Sequence, residues 1–274
     1  MHISFIVSII SLFIIFIAGF IVAHFVNEST YMTIDFNKAF INPCLKYPFG
    51  TNNFGQNLFY QTLVGCYNTL ILAIVTTFIK LIIGITIGII WGNSNKFDFF
   101  FNFIKSIFDN VPLIFFYIIL ITALGANYLS LLIVVVVFGW VNIACLIRNN
   151  LVIIRTKDYN VASKLYKTPL YKRAIKNYFP SILPIIFSSI ALSIPEIISF
   201  EITLSYFGFI LGEKNLGLGK ILYASITSNH CFTHPFLFVI PLLLLLIINL
   251  CFYLISKTIA SVCLNGGDSD VESK

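Results

Sequence analysis

Six long apolar runs, near residues 3–26, 69–91, 107–124, 128–147, 182–209 and 236–256, constrain this chain more than any other feature of its sequence. A bilayer core of about 30 Å takes roughly 20 helical residues, because each residue rises about 1.5 Å. With 58% hydrophobic and 10% charged residues, the chain cannot hide that much apolar surface without lipid. The expected fold is therefore an all-α integral membrane protein with six transmembrane helices. The third run is the least clear, since Asp109, Asn110 and Pro112 crowd its start, with Asn110 and Pro112 read as a helix entrance. The first run has no Lys or Arg before it and exceeds the usual apolar stretch of a cleaved signal, so it reads as an uncleaved span.

Charge then orients the spans. Between them, one side holds Lys96, Lys105, the eight cations from Arg148 to Lys176, Lys257 and Lys274, twelve in all. The other side holds four: Lys38, Lys46, Lys214 and Lys220. The positive-inside rule places the cluster and both termini in the cytosol. A cluster tethered between two spans also argues against nucleic acid as the partner, although the formal net charge is +6. Of the cysteines, Cys145 and Cys251 fall inside spans, where a thiol behaves as a small hydrophobe. Cys44, Cys66 and Cys231 fall on the outer side, which leaves a disulfide open.

The densest part of the cluster, "RTKDYNVASKLYKTPLYKRAIKNYFP" from Arg155 to Pro180, reads as two helices joined by a turn. Asp158 is placed to cap the first, which runs through Lys167 with Lys164 and Lys167 at its negative dipole end. Val161 and Leu165 form one i, i+4 stripe, and Ala162 and Tyr166 its neighbour. Thr168 and Pro169 open the second helix, which is expected to end before Pro180. Small and medium apolar residues ringed by cations suit docking into a groove on a partner. Equally, such a segment can be a solvated loop that serves topology and attraction to membrane lipid.

Other stretches carry more pattern. "YPFGTNNFGQNLFYQTLVG", Tyr47 to Gly65, holds Gly50, Thr51, Gly55 and Gly65. Asp98 and Pro112 flank the start of the third run, and "FEITLSYFGF" supplies Glu201, Leu204, Ser205, Tyr206 and Gly208. In order and spacing, from about residue 47 to 220, these resemble the inner-membrane permease subunits of ABC importers of the dipeptide, oligopeptide and nickel type. The cytoplasmic signature of that family falls on Val161, Ala162, Ser163, Lys167, Asn177, Phe179 and Pro180, of which Ala162 and Pro180 match. Val161 stands where the family has Glu, and Lys167 where it has Gly. Asn52, Gln56 and Asn57 replace charged residues of the family pattern by amides.

The resemblance implies a subunit of the bacterial inner membrane that pairs with a second permease, binds two cytosolic ATPase subunits and receives substrate from an extracytoplasmic binding protein. It further implies that Asp158, Tyr159, Val161, Ala162, Ser163, Leu165, Tyr166, Lys167 and Pro180 belong to an ATPase-coupling segment between spans 4 and 5. The expected organisation is an N-terminal span and outer loop over 1–67 and a permease transmembrane domain over 68–258, with the coupling segment at 148–181. A disordered cytoplasmic tail follows over 259–274. The implied cargo is a peptide, with nickel as the alternative.

Lys80, Glu196 and Glu201 fall within spans, where each ionisable group costs about 2.5–3.5 kcal/mol unless it faces protein or water. An ion pair between Lys80 and one of the glutamates, a polar lining of a path, or a hydrated Glu201 near the end of its span are all open. Glu196 and Glu201 stand about 140° apart around a helix and do not share a face. A stand-alone secondary transporter or channel using these three groups is the rival reading. "GLGK", Gly217 to Lys220, lacks the spacing of a phosphate-binding loop, so ATP hydrolysis is assigned to another chain and no cofactor is expected. "HCFTH", His230 to His234, reads as ordinary loop residues in preference to a metal site.

Overall fold

A computed structural model of the chain describes residues 2–93, 97–209, 216–228 and 232–269. Helix α1 (His2–Phe25) leads into a loop with a single helical turn, α2 (Ser29–Met32), and a 3-10 turn at Phe36–Lys38. Helix α3 (Leu58–Asn93) has 36 residues and is about 54 Å long, well beyond a bilayer core. After it come α4 (Asp98–Asn110), α5 (Leu113–Leu124) and α6 (Tyr128–Ile154), then the short α7 (Asp158–Leu165) and α8 (Leu170–Arg173). A π-helical turn at Ala174–Tyr178 joins α8 to α9 (Phe179–Tyr206), and α10 (Leu218–Thr227) and α11 (Phe236–Ser269) complete the order. Among the described residues the extended structure is an isolated bridge between Thr51 and Asn57.

Among the described residues, five helices are long and apolar enough to cross a membrane: Ile3–Phe25, Leu58–Asn93, Tyr128–Ile154, Leu170–Tyr206 and Phe236–Ser261. The expected third span, 107–124, is not a single helix. It is the pair α4 and α5, bent by 90°, and it makes a sixth span only if the two are counted together. Pro112 accounts for the break: it lacks an N–H, and it drives Val111 into an extended conformation at φ −111°, ψ 127°. Asn110 therefore ends α4, its side-chain amide donating to the Ser106 carbonyl, instead of opening α5. Phe99, Phe100, Phe103 and Ile107 of α4 are exposed, an apolar face suited to the membrane interface.

The bundle is built around α3, α6 and α9. Gly84, Gly88 and Gly92 recur every fourth residue on α3, facing Ile143, Ile147 and Leu151 on α6. A Cβ added at these glycines would stand 2.7, 2.8 and 2.9 Å from those side chains, so the two helices approach as closely as their backbones allow. Leu70, Ala73, Leu131, Val134, Ile197, Ile198 and Leu204 fill the centre. Helices α1 and α11 lie against this core and leave Phe13, Ile14, Leu243 and Leu246 exposed, as lipid contact requires. The boundary read at 67/68 falls inside α3, and α11 continues past 258, so residues 259–269 of the expected disordered tail are helical. Thr258 and Ser261 return their hydroxyls to carbonyls of the preceding turn.

The basic segment departs from its sequence reading in three details. Asp158 is the first helical residue of α7 and not its cap; Lys157 holds the cap position without a side-chain bond. The second helix starts at Leu170, with Pro169 as its cap, and does not end before Pro180, since α8, the π turn and α9 run on through Leu170–Tyr206. The wider π turn lies immediately before Pro180, where a regular α-helix would set the ring against the carbonyl one turn back. Finally, α7 ends at Leu165 and does not run through Lys167, which takes the left-handed place of the stop at φ 55°. Thr168 N–H donates to the Ser163 carbonyl at 3.1 Å and Lys167 N–H to Lys164 at 3.0 Å, the pattern of a Schellman stop.

The same stop ends α9, where Gly208 (φ 87°) takes the left-handed place and Phe209 N–H donates to Leu204. A non-glycine residue there costs about 1–2 kcal/mol, offset in part by the greater unfolded entropy of glycine. Lys167→Gly is therefore expected to stabilise the protein by a net ~0.5–1 kcal/mol. The purified variant should melt at a higher temperature than the parent, and a lower one would contradict the left-handed turn.

Candidate coupling surface and membrane-embedded polar sites

At the basic end of the bundle, α7 turns Tyr159, Val161, Ala162, Leu165 and Tyr166 outward, with Leu165 78% and Tyr166 86% exposed. Its inward side is Asn160, which is buried. The Asn160 amide donates to the Ile154 carbonyl at 2.8 Å and accepts from Asn177 at 2.8 Å, while Asn177 also reaches Ser163 at 3.3 Å. These bonds clasp α7 to the end of α6 and to the π turn that leads into α9. Asp158 lies at the start of this outward surface and Lys167 at its end, and Pro180 is exposed on the neighbouring segment. Asn160 gave no sequence signal, because a polar residue inside a charged stretch reads as solvated.

Asp98 ties three helices together. Its carboxylate accepts from Trp91 Nε1 of α3 at 2.8 Å and from Arg148 Nη2 of α6 at 2.7 Å, and the Arg148 guanidinium lies 5.7 Å from the Trp91 ring. Pro112 breaks the helix that Asp98 begins.

Deeper in the bundle, Lys80 Nζ donates to Glu196 Oε2 at 2.9 Å. The lysine is 2% exposed and the glutamate 43%, so the pair joins α3 to a partly open face of α9. Gly139 of α6 makes room for the lysine stem: a Cβ there would fall 2.7 Å from Lys80 Cδ. Lys80→Glu alone should leave two carboxylates facing each other and destabilise by about 2–4 kcal/mol, below the fully buried range because Glu196 is part-exposed. Adding Glu196→Lys should restore most of that loss in a thermal melt; a double variant no better than the single one would rule out the pairing as a stabilising contact.

Glu201 is elsewhere, and it is not hydrated: it is 1% exposed. Thr69 Oγ1 of α3 donates to Glu201 Oε2 at 2.7 Å, and the Gly219 N–H in the first turn of α10 donates to the same carboxylate. Thr69 in turn accepts from Leu218 N–H at 3.0 Å. The first N–H groups of a helix lack intrahelical partners and carry partial positive charge, so a buried carboxylate is a suitable cap. Gly217 and Gly219 allow the approach, since a Cβ on them would fall 2.2 Å from Glu201 Oε1 and 2.4 Å from Ser205 Oγ. Leu204 is fully buried beside this site, and Gly65 packs on Ile221 and Gly217. "GLGK" thus binds an internal carboxylate.

The loop before α3 closes over the same end of the bundle. Thr51, wholly buried, accepts from Ile41 N–H at 2.8 Å and donates to the Lys38 carbonyl at 2.5 Å. Gly50 packs against Phe236, and Gly55 sits so close to the Asp35 carbonyl that no side chain fits. Asn52, Gln56 and Gln61 form an amide network, with Gln61 reaching the Tyr31 carbonyl at 3.0 Å and Gln56 the Met32 carbonyl at 2.7 Å. Neutral amides therefore keep the loop tied where the family pattern has charges. Cys66 is not an outer-loop thiol: it lies wholly buried in α3, and Cys44 is free. His230 and Cys231 lie outside the described residues, while His234 stacks on Phe40 at 4.7 Å.

Helical almost throughout its described residues, with several membrane-crossing helices and intramembrane charges tied to protein, the chain is of the multi-pass membrane class. Residues 84–261 match the family described as the binding-protein-dependent transport system inner membrane component, and the chain belongs to that family. It is 31% identical over 226 residues to the oligopeptide transport system permease protein AmiD of Streptococcus pneumoniae, covering 82% of this chain and 73% of that protein. It is also 31% identical to the dipeptide transport system permease protein DppC of Lactococcus lactis subsp. cremoris, over 76% of this chain and 60% of that one. With the oligopeptide transport system permease protein OppC of Haemophilus influenzae the identity is 27%, over 89% and 78% of the two chains. The family is one of transport components, not of enzymes.

Proposed function

We propose that this chain is a permease subunit of an ATP-driven ABC importer that carries peptides across the bacterial cytoplasmic membrane, with the basic end and both termini in the cytosol. The peptide cargo rests on the relatives above, each named for oligopeptides or dipeptides, which favours peptides over nickel. The orientation rests on the positive-inside rule. The partners are a second permease, two cytosolic ATPase subunits and an extracytoplasmic binding protein. The observation that carries the reading is the outward apolar face of α7 on a helix clasped to both α6 and α9.

In this mechanism the α7 face seats in a groove of an ATPase subunit. Closure of the ATPases on ATP moves α7, and two links carry the motion into the membrane. One is the short connection from Ile154 to Asp158; the other is the Asn160–Asn177 bond, which meets the continuous helix Leu170–Tyr206. The close α3–α6 contact at Gly84, Gly88 and Gly92 makes α3 follow α6, so the spans rock together between inward and outward openings. Asn177 is thereby a positioning residue for coupling.

Reconstitution with the partner subunits tests the proposal. Peptide uptake into proteoliposomes should require ATP and persist when ionophores collapse ion gradients. Uptake driven by an ion gradient without ATP would instead support the rival relay through Lys80 and Glu196.

A further inference from the structure

A cleft of about 490 Å³ opens between α7 and the ends of the spans, a size within the ~300–1,000 Å³ range of small-molecule sites. Its walls include Arg155, Lys164 and Arg173, with Asn93, Thr156 and Val161, and no carboxylate stands among its described lining residues. Two of these cations are held in place by nothing acidic. Lys164 makes no ion pair among the described residues, and Arg173 Nε is buried there without a hydrogen-bond partner. A guanidinium donor shut away from water without an acceptor is costly, and its fork suits a phosphate.

Position narrows the source of that phosphate. Asn93 is the last residue of α3, Arg155 directly follows α6 and Arg173 ends α8, so the cleft lies between the ends of membrane-crossing helices on the basic side of the bundle. Basic pockets between such helices accept lipid headgroups. We infer that this cleft binds a phosphate-bearing anion through Arg173, Lys164 and Arg155, and that an anionic phospholipid headgroup supplies it. The bound headgroup places a negative charge between α7 and the spans, where it bridges the two and stiffens the coupling element against the membrane surface.

Native mass spectrometry of the full chain, alone and in the assembled transporter, tests this with phosphatidylglycerol, phosphatidylcholine and inorganic phosphate as probes. The expected result is retention of phosphatidylglycerol over phosphatidylcholine, reduced at least fivefold by Arg173→Gln with Lys164→Gln. Lys172→Gln, one residue away but outside the cleft, should leave retention unchanged and shows that folding and general charge are not the cause. Protection of the parent, but not the Arg173/Lys164 variant, by millimolar inorganic phosphate in a thermal melt would support the phosphate site while moving its source to solution. Equal retention by parent and double variant with no such protection, an equal loss with Lys172→Gln, or exclusion of lipid from the assembled transporter by the docked partner would each overturn it.

Discussion

Replacing Ala162 by arginine is expected to bring ATP-driven uptake to background while the chain remains folded in the membrane. Ala162 is exposed on the outward side of α7, between Val161 and Leu165 and beside Tyr166, and it packs into no core cluster of the bundle. A large cation at an exposed helical position changes monomer stability by only about ±0.5 kcal/mol. In a docked interface the same side chain must be buried in a groove shaped for a methyl group. Removing a well-packed central contact there, and burying an unpaired charge, costs about 2–5 kcal/mol of binding, or thirtyfold and more in association with the ATPase. The melting temperature of the purified chain should therefore stay near that of the parent while ATPase association and uptake both fall. Unchanged uptake and association would remove α7 from the coupling path.

The second large effect is expected at Gly217. A side chain there cannot coexist with the present place of Glu201, since even a Cβ would stand 2.2 Å from Oε1. Gly217→Val must push the carboxylate off Thr69 and off the first turn of α10, leaving a buried acid and buried donors without partners. Losses of this kind amount to about 3–5 kcal/mol. The expected result is a strong fall in folded protein recovered from the membrane and in melting temperature. Gly208→Ala provides the contrast: no atom lies within 4 Å of a Cβ at Gly208, so only the left-handed conformation opposes it, at about 1–2 kcal/mol. Equal effects at the two glycines would show that the Glu201 contact does not control the fold at this end of the bundle.

The spans were legible in the sequence because their signal is length and apolarity, both of which survive without knowing what each helix touches. The bent α4–α5 pair was harder, since Pro112 marks a break without saying how far the chain turns. The pairing of Lys80 with Glu196 depends on the relative rotation and height of α3 and α9, which no periodicity within either helix encodes. The same holds for Glu201, whose partners Thr69 and Gly219 stand far from it in the chain. Its closeness to the end of a span suggested water, but α10 folds back over it. One signal was present and unread: the glycines at 84, 88 and 92 form a small-residue stripe that points to a close helix partner. Lys167 is the reverse case: it stands where the family pattern has glycine, and in the structure that position is a left-handed turn.

Coupling to a separate ATPase is the central claim, and isolation of the intact assembly tests it most directly. Affinity purification of the tagged chain from its native membrane in mild detergent should bring down a second permease and ATPase subunits in stoichiometric amounts, and Ala162→Arg should release the ATPase while the second permease stays. A chain that purifies alone and still transports when reconstituted by itself would contradict the claim.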